Sequence, residues 1–357
     1  MKNQAALFLT ILLFFTAACS RQDDAGKLVQ KVKPFVDEGF KAFSAQNYPS
    51  AVKAWEAALK INPKLEYLQL NLGICYYAMG QRERALTLWM AYREANPNDP
   101  EVFNNLGGYY RDLPDYPKAI EYYQEAIKLS PQYLLPHYNI GLIRYEQGDY
   151  PASVESYKQS LLIAPKDIRT LLALGRAYRA MGDDANALES FQKAKLYAPA
   201  DTMARFHFAM ELIRVKKLDQ AKVEFDELAA DTGNAPMSQY GLASVALAGT
   251  PDPTVVQGYL AAGKQVGAQD SVLFTGLEAE LLLAQGQHEQ AFALLRDVVD
   301  KMPAEFDVKR SEYLFLLGKS EVGSDPVKAR EHLQSSLKAF PMTQHKQEIE
   351  QLLAQLG

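Results

Sequence analysis

The chain is 357 residues long, 48% hydrophobic, with a formal net charge of -5. Acidic and basic residues are mixed along it rather than blocked, which excludes the basic stripe of a nucleic-acid binder and the polybasic patch of a membrane-surface protein. The length suits two or three ordinary domains or one long repeat array, so internal periodicity is the first test.

At the N-terminus Lys2 precedes an uncharged run from Ala5 to Ala18, rich in Leu and Phe. A bilayer span needs about 20 residues, so this shorter run predicts an export signal over 1–18 with the small residues Ala17 and Ala18 at the cut. Thr16-Ala17-Ala18-Cys19 resembles the bacterial lipobox, with Thr16 where that family prefers Leu. The resemblance implies acylation of Cys19, an effectively permanent membrane anchor. It also makes Ser20 a sorting residue for an outer-membrane lipoprotein facing the periplasm. Cleavage by an ordinary signal peptidase would instead leave a soluble periplasmic protein with a free thiol at Cys19. Residues 19–31 then read as the lipidated cysteine and a short charged linker. The other cysteine, Cys75, falls at a small-residue helical position and reads as core; two cysteines so placed imply no disulfide framework.

Next comes the repeat. Pro63, Pro97, Pro131, Pro165 and Pro199 recur every 34 residues. In the same phase lie Gly39, Gly73, Gly107, Gly141 and Gly175, expected at close contacts between paired helices because glycine inside a helix is otherwise unfavourable. Ala51, Ala85, Ala119 and Ala187, with Ser153 as the substitute, open the second helix of each pair. Trp55, Trp89, Tyr123, Tyr157, Phe191 and Phe225 are expected to form an aromatic ladder between neighbouring hairpins. The order W-x2-L-G-x2-Y, A-x3-F, P resembles the tetratricopeptide repeat, best over Phe103, Leu106, Gly107, Tyr110, Ala119, Tyr123, Ala126 and Pro131. On this resemblance 32–235 holds six units. The sixth keeps Ala221 and Phe225 but has Ala209 and Gly233 where the family has glycine and proline.

Residues 236–342 read as divergent hairpins of the same type, with Asp252 capping and Pro253 opening a helix. Ala291, Pro303, Leu317, Gly318, Ala329 and Pro341 hold family positions. Residues 343–357 read as an amphipathic capping helix. The fold implied by the resemblance is all-α, a right-handed superhelical solenoid of hairpins with a concave groove.

In the family the first helix of each hairpin lines that groove. One of its positions reads Asn71, Asn105, Asn139, similar to asparagine ladders that hold extended peptides in other members, since an amide both donates and accepts. The lysines of the family's carboxylate clamp are missing, their places taken by Val36 and Glu101. Asn104, Tyr77, Arg111, Tyr138, Tyr145, Arg176 and Arg179 are expected on the same face, where arginine and tyrosine suit a binding hot spot. Two readings stay open for these residues: a groove in use, or consensus asparagines and solvated arginines without a ligand.

No catalytic motif, nucleotide loop or metal-ligand spacing is found; the five histidines, His137, His207, His288, His332 and His345, are scattered. The expected function is a lipid-anchored periplasmic scaffold that binds proteins or extended peptides, without cofactor or metal. The family offers two settings for it, recruitment of peptidoglycan enzymes and assembly of pili or secretins. The alternative is a structural protein that self-associates into homo-oligomers and leaves its groove unused.

Overall fold

The computed structural model describes residues 27–230, 235–249, 251–266, 271–302, 306–340 and 345–357. The export signal, Cys19 and the start of the linker lie outside the described residues. Described residues form helices and connecting turns, with no strand among them, and divide into two compact units between Asn139 and Ile140.

The first unit holds α1 (27–44), α2 (Tyr48–Ile61), α3 (Tyr67–Ala78), α4 (Arg82–Ala95), α5 (Pro100–Arg111), α6 (Tyr116–Leu129) and the start of α7 (Leu134–Glu146). Residues 27–31, read above as the end of a linker, already belong to α1. The second unit continues with α8 (Tyr150–Ile163), α9 (Ile168–Ala180), α10 (Asp184–Tyr197), α11 (Thr202–Arg214), α12 (Leu218–Ala229), α13 (Ala235–Ala248) and α14 (Pro253–Val266). It ends with α15 (Ser271–Ala284), α16 (His288–Val298), α17 (Asp307–Glu321), α18 (Pro326–Ala339) and α19 (Lys346–Gln355). Within each unit consecutive helices pack as antiparallel hairpins, a tetratricopeptide-type solenoid in local structure.

Two local devices make these hairpins. The first is a glycine facing an aromatic ring. A Cβ on Gly39 would lie 2.1 Å from Trp55, one on Gly73 2.2 Å from Trp89, and one on Gly107 2.6 Å from the Tyr123 ring. Gly141 with Tyr157 and Gly175 with Phe191 repeat the arrangement at 2.5 and 2.6 Å. Each ring therefore seats on the glycine of its own hairpin, the close contact between paired helices expected of those glycines. Phe225 breaks the pattern: Ala209 occupies the glycine position of α11, and the ring sits instead against Gly241 of α13. The alanines that open the second helices, Ala51, Ala85, Ala119 and Ala187, are fully buried. Ser153, their one substitute, satisfies its hydroxyl by donating to the Gly141 carbonyl at 2.8 Å.

The second device is the turn inside each hairpin. Gly80, Gly148 and Gly182 adopt φ of 77°, 76° and 73°, and Gln46 and Lys216 hold the same place in the repeat at 56° and 61°. The next residue's N–H reaches back five positions, as in Gln81 to Tyr76, Asp149 to Arg144 and Asp183 to Tyr178, the 6→1 bond that closes a Schellman motif. That same next residue begins the following helix: Asn47, Asp115, Asp149 and Asp183 accept from Ser50, Lys118, Ala152 and Asn186 backbone N–H groups. One dipeptide thus ends a helix and starts the next.

The core of the first unit is built on Trp55, Leu68, Cys75, Trp89 and Leu106, all buried. Burial raises the Cys75 thiol to about 11, leaving it an inert packing group. In the second unit Phe206, Phe225, Tyr240 and Phe274 form one cluster, and Leu295, Tyr313 and Leu317 another. Phe315 and Leu333 are covered by Ile349 of α19.

Candidate functional site

The first helices of successive hairpins in the first unit, α3 and α5, together with the start of α7, present a cleft of about 180 Å³. On α5 the spacing of Asn104, Gly108 and Arg111 puts them on one helical stripe. Ile74 and Tyr77 of α3, Trp89 of α4, Asn105 and Tyr109 of α5, Asp112 just beyond α5, Tyr123 of α6 and Asn139 of α7 complete its polar and apolar lining.

Most polar groups of the cleft form one network. The Asn139 amide donates to Asn104 Oδ1 at 3.1 Å, and Arg111 donates to Asn139 Oδ1 at 3.5 Å. Arg111 also pairs with Asp112 at 3.3 Å, while the Tyr77 hydroxyl donates to the other Asp112 oxygen. Burial and this bond to a carboxylate push the Tyr77 phenol well above its ordinary value, so it stays a donor. The Asn105 side chain lines the same cleft and makes no hydrogen bond among the described residues. It is half-exposed, so its amide can both donate to and accept from a chain laid across it.

Of the residues expected here, Tyr77, Asn104, Asn105, Arg111 and Asn139 come together. Asn71 does not join them: its amide turns back onto the Tyr67 carbonyl at 3.2 Å. Tyr138 is half-buried on α7 and does not line the cleft. In the second unit the Arg176 guanidinium lies 5.3 Å from the Tyr145 ring centre, a cation–π pair. Arg179, expected on an open face, is only 6% exposed. It lies in a buried charged cluster with His207 and Glu211 of α11, where burial lowers the imidazole to about 3 and raises the carboxyl to about 7. Arg179 adds to the first shift by repulsion and opposes the second by attraction. Arg214, which donates to Glu211 at 3.0 Å and pairs with Asp184 of α10, is brought down to about 10, chiefly by burial.

Sequence reasoning missed Asp112 and Gly108. The aspartate follows the last residue of α5 and reads as part of a turn. Gly108 is masked by its neighbour Gly107, which carries the repeat signature. Among the described residues no group of three or more His, Cys, Asp or Glu could hold a metal ion, and no helix is long and apolar enough to cross a membrane.

Tetratricopeptide-repeat family models match residues 42–105 and 133–195, and a further TPR repeat model matches 109–148. Solved structures of similar fold include a tetratricopeptide repeat protein from Parabacteroides merdae, 16% identical, covering 71% of this chain and 99% of that one with a TM-score of 0.50. PilF from Pseudomonas aeruginosa is 19% identical over 61% of this chain and 98% of its own, TM-score 0.51. PilW, described as a widely conserved type IV pilus biogenesis factor, is 20% identical over 59% and 97%, TM-score 0.51. At these identities the likeness is one of fold. No curated protein matches the chain significantly.

Proposed function

We propose that this chain, a tetratricopeptide-repeat protein, is a binding scaffold that holds an extended segment of a partner protein in the cleft of its first unit. The observation that carries the reading is the Asn105 amide, half-exposed and unengaged, beside a network that fixes Asn104, Asn139 and Arg111. An ordered polar rim with one open donor–acceptor group suits recognition of a peptide backbone. The stem of Tyr77 and the Ile74 and Tyr109 side chains supply apolar contact beneath it.

The proposal places the protein in the bacterial envelope, anchored through Cys19 to the outer membrane and facing the periplasm. The uncharged run from Ala5 to Ala18 and the lipobox-like Thr16-Ala17-Ala18-Cys19 support that placement. The process served is either recruitment of peptidoglycan enzymes or assembly of pili or secretins. PilW, similar in fold, is named for pilus biogenesis.

The test is capture of partners from envelope extract on the wild type and on an Asn105→Ala, Asn139→Ala double variant. Partners recovered by the first and lost by the second support the cleft; equal recovery of the same partners refutes it. Cys19→Ser should release the protein from the outer-membrane fraction, and globomycin should accumulate the precursor. An unchanged membrane fraction for Cys19→Ser rules out the anchor.

A further inference from the structure

We propose that Gly108 sets the specificity of the cleft: its missing side chain opens a seat for one bulky apolar side chain, of leucine or phenylalanine size, from an extended uncharged peptide. The inference rests on the peptide-binding reading above and names the chemistry of its ligand.

Two adjacent glycines in α5 have different reasons to be there. Gly107 is demanded by the fold, because a Cβ would come within 2.6 Å of the Tyr123 ring. Gly108 is not: a Cβ there would meet only the Tyr123 hydroxyl, at 3.8 Å, an ordinary van der Waals contact. Nor does the backbone need it, since Gly108 is absent from the positive-φ positions and sits inside a regular helix. Glycine is the least favourable residue in a helix interior apart from proline. A glycine that neither packing nor backbone geometry requires, yet that lines a cleft, fits close approach by something outside the chain.

The surroundings say what approaches. Ile74, Trp89, Tyr109 and Tyr123 line the same cleft as Gly108 and supply its apolar and aromatic surface. Arg111 and Asp112 neutralise each other at 3.3 Å, and Tyr77 already donates to Asp112, so the cleft offers no net charge to a ligand. A charged side chain would have to give up water for groups that are already partnered, whereas an apolar one gains by leaving water. Asn105, three residues before Gly108, is placed to hold the backbone that carries this side chain.

The experiment measures binding of the full chain to blocked nonapeptides of serine and glycine whose central residue is Ala, Leu, Phe, Glu or Lys. It compares wild type with Gly108→Ala, Gly108→Leu and Asn105→Ala. Wild type should prefer Leu and Phe at least tenfold over Ala, Glu and Lys. Asn105→Ala should weaken all peptides alike and keep the order. Gly108→Leu should fill the seat and bring the five peptides within about twofold of one another, and Gly108→Ala should melt higher than wild type. A preference that survives in Gly108→Leu, or a lower melting temperature for Gly108→Ala, overturns the role of Gly108 and leaves peptide binding standing. Failure of every peptide to bind the wild type overturns the peptide-binding reading itself.

Discussion

At the scale of single residues, the 34-residue phase reveals positions whose neighbours are set by the repeat and hides those whose neighbours are not. Gly73 and Trp89 are legible because every copy shows the same pair. Replacing Gly73 by Ala would put a methyl group 2.2 Å from the indole, an overpacking expected to cost about 1–3 kcal/mol in a thermal or urea melt. Arg179 was not legible in the same way. Its burial depends on His207 and Glu211 in the following hairpin, neither of which belongs to the repeat signature. That cluster gives stability two opposing pH dependences. Glu211 holds its proton up to about pH 7 in the fold but releases it near 4.5 when unfolded, so its contribution falls as pH rises between those values. His207 takes its proton near 6.5 when unfolded and only near 3 in the fold, so its contribution is full above 6.5 and falls as pH drops towards 3. Melting curves from pH 3.5 to 8 should show Glu211→Gln gaining most at pH 8, on the order of 3 kcal/mol. His207→Phe, which can keep the stack on Phe191 at 5.5 Å, should lose less stability on the acid side. Curves parallel to wild type would rule out this account.

At the scale of elements, the turn inside each hairpin was the part least visible in advance. Its signal is present as Gly80, Gly148 and Gly182, but Gln46 and Lys216 interrupt it, and a phase search led by proline passes over it. The shared feature is a residue of positive φ followed by the N-cap of the next helix, whose side chain caps at Asn47, Asp115, Asp149 and Asp183 but not at Gln81 or Lys217. Lys216 adopts φ of 61°, a conformation that costs an L-residue roughly 1 kcal/mol relative to glycine. Lys216→Gly should therefore stabilise the second unit by about that amount. Asp149→Ala should remove the bond to the Ala152 N–H at 3.2 Å and cost about 1 kcal/mol. Chemical denaturation of the two variants checks both signs, and a destabilised Lys216→Gly would count against the strain argument. The cleft follows the same rule of legibility. Tyr77, Asn104, Asn105, Arg111 and Asn139 could be gathered from their shared helix face, whereas the turn of Asn71 back onto its own helix rests on a local bond to the Tyr67 carbonyl that no spacing announces.

At the scale of the whole molecule, helical hairpins recur in each of the two compact units, and in the second unit α19 packs on the hairpin of α17 and α18. Ile349 is fully buried against Phe315 and Leu333, His345 stacks on Phe315 at 4.1 Å, and Arg330 donates to the Gly357 carbonyl at 2.8 Å. Removing residues 345–357 would uncover that apolar face. The shortened chain should melt at a lower temperature and associate in a concentration-dependent way in sedimentation experiments. An unchanged melting temperature and a sedimentation profile like that of the full chain would show that α19 contributes nothing.

The turn dipeptide has a consequence for how such a chain changes over generations. Because the early hairpins share a 34-residue spacing and a residue of positive φ ahead of each second helix, a recombination that removes or duplicates one 34-residue block rejoins a helix end to a helix start at the same place in the repeat. No junction has to be invented, and each glycine keeps the ring of its own hairpin. The early array can therefore lengthen or shorten in whole steps. Past Phe225, where the ring leans on Gly241 of the next helix, excision of one block would separate partners. Variation in length among descendants of this chain should accordingly concentrate before that point, and substitution rather than block exchange should dominate after it.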